Sequence, residues 1–113
     1  MDLIHLDELL TLLADDAPIR LVTAPGRRRH DLAHIPGAET FDDVASALEL
    51  LDPDDDIVVY GTNEFCPSGR WAHRVLTGRG YRHVRVLHGG LDAWTSAGLP
   101  LHGSFATDLE VIA

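Results

Sequence analysis

Apolar and polar residues follow two different periods along this chain, and the two periods alternate. Apolar residues at helical spacing predict four helices, which cover residues 6–14, a segment after Thr40, a segment from about Ser68, and residues 91–97. Short runs of β-branched and other apolar residues predict strands at 19–23, 57–60 and 83–87. Strands and helices are therefore expected to alternate along most of the chain.

Capping signals indicate where several helices begin and end. Thr40 followed by Asp43 resembles a capping box at the start of the second helix. The inner face of that helix would carry five apolar residues: Phe41, Val44, Ala45, Leu48 and Leu51. Gly78 or Gly80 is expected to close the third helix, and Gly98 is expected to form a left-handed cap after the last one.

Strands separated by helices predict a mostly parallel sheet that is covered by helices on both faces. In an open sheet of this kind, ligands bind at the carboxyl ends of the strands. The loop after Thr23 and the loop after Tyr60 both start at that edge. We therefore expect Cys66 to share an edge of the molecule with the three arginines at 27–29.

Length and charge narrow the class of protein. The 113 residues suit one domain, 1–113, with a core over about 3–101 and a C-terminal tail over 102–113. The net charge of −9 argues against a nucleic-acid or anionic-membrane partner, since phosphate binding needs a concentrated positive surface. No stretch approaches the roughly 20 apolar residues of a membrane span, and the start lacks a secretory leader. With a single cysteine, these features favour a cytoplasmic protein.

Cys66 is the single cysteine, and it comes just before the start of a predicted helix. A thiol at such a place meets unpaired backbone N–H groups and the positive end of the helix dipole, which favour the thiolate. A thiolate attacks sulfur, phosphorus or carbonyl centres. The alternative is a structural role, because free cysteines often pack as small buried hydrophobes. The sequence leaves both roles open, with Cys66 as the candidate nucleophile.

The residues that follow Cys66 are candidates for substrate binding: Pro67, Ser68, Gly69, Arg70 and Trp71. An anion cradle needs several backbone N–H groups that converge on one point. Gly69 permits close backbone approach, Ser68 is suited to cap the helix or donate its hydroxyl, and Pro67 offers no N–H. Arg70 is expected to attract the substrate anion, unless it is a solvated surface charge. For Trp71, packing is a simpler expectation than substrate contact.

We predict no metal site and no cofactor. The seven histidines contain no HExxH pattern or second ligand pair, and His34 is expected to be structural. The acidic run at 52–56 predicts a solvated turn, because a calcium loop needs a longer ligand spacing. Trp94 is expected to anchor the core.

Three segments, in this order, resemble the rhodanese-homology family. They are HIPGA at 34–38, VVYG…C…RW…L…RGY at 58–81, and HGGLDAWTSAGLP at 88–100. The resemblance implies a rhodanese-like α/β three-layer sandwich, with helices on both faces of a five-stranded, mostly parallel sheet. It also implies an active-site loop after the central strand, with a cysteine that carries a persulfide. Family members move sulfane sulfur from thiosulfate or another persulfide to cyanide, a thiol or a protein acceptor.

The chain departs from the pattern of most active members of that family. Their cysteine directly follows the central strand, where this chain has Gly61, and Cys66 lies five positions later in a longer loop. Their Asp-Val-Arg at the end of an earlier strand is replaced by Thr23, Ala24 and Pro25. The charged residues that often support the active-site loop are therefore absent from their expected places.

Two functions remain open. The first is a sulfurtransferase, in which the Cys66 thiolate takes sulfane sulfur from a thiosulfate- or persulfide-type donor and passes it to a thiophilic acceptor. The second is an inactive rhodanese-like domain that serves as a sulfur or redox sensor or as a protein-interaction module. Phosphatase chemistry of the C-x5-R type is disfavoured, because Ala72 stands where the arginine is needed. We favour the sulfurtransferase.

Overall fold

One parallel sheet runs through the protein. The computed structural model describes residues 2–23, 34–41, 43–63 and 67–102. Within these ranges the strands are β1 (Leu3–Ile4), β2 (Ile19–Thr23), β3 (Asp56–Tyr60) and β4 (His83–Leu87). Their order across the sheet is β1-β4-β3-β2, and all neighbouring pairs are parallel. The longest apolar run of the chain, β3, is therefore central, as its burial on both faces requires.

The helices of the same ranges are α1 (Leu6–Ala14), α2 (Val44–Leu50), α3 (Ser68–Gly78) and α4 (Gly90–Ser96). The predicted helix at 6–14 and the predicted strands at 19–23 and 83–87 are confirmed with the same bounds. The central strand begins one residue earlier than predicted, and the last helix is shifted by one residue. No helix in the part of the chain described here is long and apolar enough to cross a membrane.

The two faces of the sheet carry separate hydrophobic cores. On one face, Ile57 and Val59 of β3 pack with residues of α2 and α3. On the other face, Val58 and Tyr60 pack with residues of α1 and α4, including Trp94, which is 5% exposed. Alternate residues of β3 thus serve opposite cores, since successive side chains of a strand point to opposite faces. The predicted three layers and the core position of Trp94 are confirmed.

The expected fifth strand is reduced to one residue in the described ranges. Glu39 forms an isolated parallel bridge with Val22, beyond the β2 edge of the sheet. The N–H of Glu39 donates to the carbonyl of Leu21, and the N–H of Thr23 donates to the carbonyl of Glu39, both at 2.8 Å. The bridge stays short because a turn with Gly37 at a φ of 86° precedes it and α2 soon follows. The prediction of five strands is therefore wrong in number, since the described residues form a sheet of four strands.

Asp43, and not Thr40, is the N-cap of α2. The Asp43 carboxylate accepts a hydrogen bond of 2.7 Å from the N–H of Ser46, which lowers the pKa of Asp43 below its usual range. The buried hydroxyl of Thr40 has no hydrogen-bond partner among the described residues. The predicted capping box is wrong, because the helix starts later than its pattern implied. Ala45, which was expected on the inner face, is exposed, and Ala47 packs inward instead.

Turns and caps elsewhere follow the sequence signals. Gly80 and Gly98 have φ values of 91° and 75°, so both are the left-handed residues expected after α3 and α4. The acidic segment forms a turn before Asp56, the first residue of β3, and in this turn the Asp52 carboxylate accepts from the N–H of Asp54 at 2.9 Å. His34 has the expected structural role, since its backbone pairs with that of His102 through two hydrogen bonds of 2.8 and 2.9 Å. Residues 103–113 of the predicted C-terminal tail lie outside the described residues.

Candidate functional site

The carboxyl end of β3 lies at the edge of the sheet where a ligand is expected. From Tyr60 the described chain continues through Asn63, and it resumes at Pro67, just before α3. The predicted nucleophile Cys66 and the arginines at 27–29 lie outside the described residues. Because Cys66 directly precedes Pro67 in the chain, the elements that frame its loop are nevertheless described on both sides.

Two glycines hold the ends of this loop against each other. A Cβ on Gly69 would lie 3.4 Å from the backbone nitrogen of Gly61 and 3.1 Å from Cγ1 of Val86. The backbone of the first turn of α3 thus approaches the end of β3 with no side chain between them. Gly69 thus allows a close approach to the sheet, and its expected approach to an anion stays a prediction. The chain therefore leaves β3 and returns at α3 to nearly the same point.

The start of the loop is also anchored to α4. The carbonyl of Gly61 accepts a hydrogen bond from the N–H of Leu91, and the carbonyl of Thr62 accepts one from the N–H of Asp92, both at 2.9 Å. These N–H groups belong to the first turn of α4, where no partner is available within the helix. Two carbonyl dipoles that would repel an anion in the loop are thus directed at α4.

Gly90 makes the approach of α4 to the loop possible. Its φ is 56°, and a Cβ there would overlap the carbonyl oxygen of Gly61 and lie 3.0 Å from the nitrogen of Asn63. Both the conformation and the contact therefore require glycine. Sequence reasoning misses this role, although the adjacent glycines of the HGG segment are the signal that could reveal it.

Hydrogen bonds support the end of β3 in place of the charged residues of the family pattern. The Thr23 hydroxyl donates to the Tyr60 hydroxyl at 2.8 Å, and the N–H of Ile35 donates to the same oxygen at 3.1 Å. All three residues are buried. Burial raises the pKa of Tyr60, and the two hydrogen bonds oppose that rise. Thr23 is uncharged and holds the end of β3 through its hydrogen bond to Tyr60. Sequence reasoning misses this role as well.

The other predicted site residues form the first turn of α3. Pro67 is the N-cap, with a φ of −74°, so Ser68 does not cap the helix. The other role suggested for Ser68, donation of its hydroxyl, stays a prediction. The N–H of Trp71 donates to the carbonyl of Pro67 at 2.8 Å, within the first turn of α3. Arg70 is exposed, and 52% of the Trp71 side chain is exposed. The packing role expected for Trp71 is therefore wrong.

Other polar groups near α3 do not converge on the loop. His73 faces away from it, because its Nε2 lies 3.4 Å from the carboxylate of Asp2. In the described ranges, no three side chains of the metal-ligating types come together. The loop at the end of β3 is thus bounded by backbone contacts of Gly61 with α3 and α4, and the first turn of α3 lies along one side of it.

Comparison with known families decides the identity of the fold. A family model for the rhodanese-like domain matches residues 5–97. The chain belongs to the rhodanese-like domain family. That family includes sulfurtransferases, and the match takes in β3, α3 and α4, the elements that frame the loop.

Solved structures agree with this assignment. A rhodanese-like domain from Anabaena sp. is 27% identical with a TM-score of 0.83, and the alignment covers 93% of this chain and 81% of that one. A protein from Bacillus halodurans is 18% identical with a TM-score of 0.83, over 92% of this chain and 78% of that one. A thiosulfate sulfurtransferase from Pseudomonas aeruginosa is 21% identical with a TM-score of 0.77, over 91% of this chain and 20% of that one. The last two likenesses show the rhodanese-like fold alone. No curated protein matches the chain in sequence.

Proposed function

We propose that this rhodanese-like domain is a sulfurtransferase that carries sulfane sulfur as a persulfide on Cys66. The observation that carries the proposal is the closure of the Cys66 loop at Gly61 and Gly69, directly at the carboxyl end of the central strand. Fixed ends restrict the conformations that are open to a loop. Donors that are placed in advance are what stabilises a developing anion. The anchoring of Gly61 to α4 supports the same conclusion.

Sulfur transfer takes place in two displacements at sulfur. In the first, the Cys66 thiolate attacks the sulfane sulfur of thiosulfate, a new S–S bond forms, and sulfite leaves with the electron pair of the broken bond. In the second, an acceptor such as cyanide or a thiolate attacks the outer sulfur of the persulfide, and the Cys66 thiolate leaves. Each half-reaction conserves charge and needs no cofactor. A cysteine that must remain a free thiol suits a reducing compartment such as the cytoplasm.

The first turn of α3 supplies the groups that would support these steps. The backbone N–H groups of Ser68, Gly69 and Arg70 belong to the first turn of α3 and lie at the positive end of its dipole. That position stabilises both the thiolate and a bound oxyanion. The exposed guanidinium of Arg70 adds positive charge for thiosulfate.

One observation favours the alternative of a domain without turnover. The residue directly after β3 is Gly61, which is buried. This chain therefore has no thiol at the position where most active relatives carry the cysteine. Such a domain would serve as a sulfur or redox sensor or as a protein-interaction module. The two functions differ in whether thiosulfate is consumed.

A thiosulfate–cyanide assay separates these two functions. Reduced, folded protein should form thiocyanate continuously, and the Cys66→Ser variant should show no rate above the uncatalysed background. Arg79→Ala, an exposed change at the far end of α3, is the matched control and should retain the full rate. Absence of thiocyanate with the unmodified protein would overturn the sulfurtransferase proposal in favour of the binding domain.

A further inference from the structure

The outer face of α3 next to the Cys66 loop is formed by Arg70, Trp71 and Arg74, all of them exposed. We refer to these three residues as the α3 face. The buried side of the helix is formed by Gly69, Ala72 and Leu76. Residues at i and i+4 lie on the same side of a helix, so Arg70 and Arg74 stand about 6 Å apart along its axis, at 1.5 Å per residue.

The charge of the α3 face contrasts with that of the whole chain. The net charge is −9, but α3 contains no acidic residue. Three arginines elsewhere form ion pairs with acidic residues: Arg20, Arg82 and Arg85. The guanidinium of Arg74, by contrast, makes no ion pair or hydrogen bond with any residue that the structure describes. Arg74 therefore adds to the α3 face a positive charge that no described carboxylate compensates.

Trp71 adds a large apolar surface to this charge. The side chain is 52% exposed, and it lies beside Arg74 on the helix surface, because residues at i and i+3 are neighbours there. Tryptophan and arginine are the residue types that contribute most of the binding energy in protein interfaces. A small anion such as thiosulfate would gain nothing from an exposed indole, so the combination points to a larger partner.

We propose that the α3 face binds an acidic protein segment that delivers the acceptor thiol to Cys66. This inference rests on the proposed sulfurtransferase function, since it names the class of acceptor. Charge complementarity selects an acidic segment, because basic partners would meet the two arginines. The net charge of −9 disfavours nucleic acids and anionic membranes, which are extended polyanions. A short acidic segment interacts mainly with nearby charges, because the Debye length at physiological salt is about 8 Å.

Two synthetic cysteine peptides of equal length test the choice of acceptor. One has aspartates and the other has lysines around the cysteine, with identical residues directly beside it. With thiosulfate-loaded protein at physiological salt, sulfur transfer to the acidic peptide should be about 10-fold faster than to the basic peptide, and high salt should abolish the difference. Equal rates for both peptides at physiological salt would overturn the proposal.

Matched charge reversals locate the effect on the helix. Arg74→Glu should slow transfer to the acidic peptide about 3- to 10-fold, as expected for a charge at the rim of an interface. Arg79→Glu changes the net charge equally at the opposite end of α3 and should have little effect. Both variants should keep the unmodified rate with cyanide. An Arg74→Glu variant that is folded and transfers to the acidic peptide at the full rate would contradict the proposal.

Binding without transfer keeps this inference separate from the proposed function. In Cys66→Ser protein the acidic peptide should change the tryptophan fluorescence, because Trp71 is exposed. The Trp71→Phe variant is the control, since its fluorescence comes from the buried Trp94 alone. If the unmodified protein forms no persulfide but this binding persists, the sulfurtransferase proposal fails and the docking surface stands. If phosphatidylserine vesicles or a DNA duplex bind the α3 face in preference to the peptide, the choice of a protein partner is wrong.

Discussion

The hydroxyl of Thr23 donates a 2.8 Å hydrogen bond to the hydroxyl of Tyr60, and these two residues are also paired in the register of β2 and β3. Both side chains are buried, so water does not compete for the bond. The contact ties together the carboxyl ends of two parallel strands, where the loop with Cys66 begins. This rhodanese-like domain thus supports its loop with neutral groups at positions where the family pattern has charged ones.

Tyr60→Phe tests this support. The substitution retains the packed ring but leaves the buried N–H of Ile35 and the hydroxyl of Thr23 without their acceptor. We expect a loss of about 1–3 kcal/mol in the free energy of unfolding, measured by urea denaturation, and slower formation of thiocyanate. Tyr81 is the control for generic loss of a tyrosine hydroxyl, since its hydroxyl donates to the carbonyl of Leu51, on the other face of the sheet.

The Thr23–Tyr60 contact itself is measured by a double-mutant cycle. The loss of stability in the Thr23→Val, Tyr60→Phe double variant should be about 1 kcal/mol smaller than the sum of the two single losses. The reason is that the double variant leaves neither hydroxyl with a missing partner. Additive losses in the double variant would mean that the two hydroxyls act independently, contrary to the geometry.

The tyrosines should ionise at unusually high pH. Burial raises the pKa of Tyr60, and burial together with the negative charges of Asp52 and Asp55 raises the pKa of Tyr81. Tyr60 and Tyr81 are the two tyrosines of the chain, so the absorbance of tyrosinate reports on these residues alone. The folded state keeps their protons at a pH where the unfolded chain, with a pKa of about 10, releases them. Stability is therefore fully present below about pH 10 and falls as the pH rises above it, through the folded pKa values.

Absorbance of tyrosinate during a pH titration checks this expectation. Folded protein should show little tyrosinate at pH 10, and protein in urea should titrate near the ordinary value. A folded protein in which both tyrosines ionise at about pH 10 would contradict the burial of Tyr60 and Tyr81.

Gly90→Ala and Gly98→Ala form a matched pair at positive φ. The φ values are 56° and 75°, but a Cβ on Gly90 would overlap the carbonyl of Gly61, while one on Gly98 would meet nothing within 4 Å. We expect Gly98→Ala to cost about 1 kcal/mol from conformation alone. Gly90→Ala should cost about 2 kcal/mol more and should lower sulfurtransferase activity, because α4 can no longer hold the loop. Equal losses in thermal unfolding would show that the Gly61 contact is unimportant.

Gly69→Ala and Gly78→Ala make the corresponding comparison within α3. A Cβ on Gly78 meets nothing within 4 Å, so alanine should raise the free energy of unfolding by about 0.5 kcal/mol through helix propensity. A Cβ on Gly69 would lie 3.1 Å from Val86 and push α3 away from Gly61. That variant should lose about 1–2 kcal/mol and turn over thiosulfate more slowly. A Gly69→Ala variant as stable and active as Gly78→Ala would argue against closure of the loop at Gly69.

Local patterns predicted most of the secondary structure, and tertiary contacts account for the misses. α1 and β2 have their predicted bounds because the local pattern is clear in each. Apolar residues recur at helical spacing in α1, and apolar and β-branched residues follow one another in β2. β1 was not predicted, since Leu3–Ile4 is too short to show a period and is a strand through its pairing with β4. At the start of α2, Thr40 and Asp43 are both good cap residues, and only the folded backbone places Ser46 against Asp43.

The frame of the site was less accessible from the sequence than the candidate residues themselves. Cys66 and the residues after it stand out by type and by position before a helix. The contact of Gly61 with Gly90 joins residues far apart in sequence, and glycines have no side chain whose chemistry reveals a partner. The Thr23 contact is hidden for the same reason, because a threonine at the end of a strand is ordinary in itself.

Formation of a persulfide on Cys66 is the central claim, and mass spectrometry of the intact protein tests it most directly. Reduced protein treated with thiosulfate and then freed of it should gain the mass of one sulfur atom, which peptide mapping should place on Cys66. Cyanide should remove that sulfur as thiocyanate, and Cys66→Ser protein should gain nothing. A folded, reduced protein that gains no sulfur, or one that loses none to cyanide, would contradict the claim.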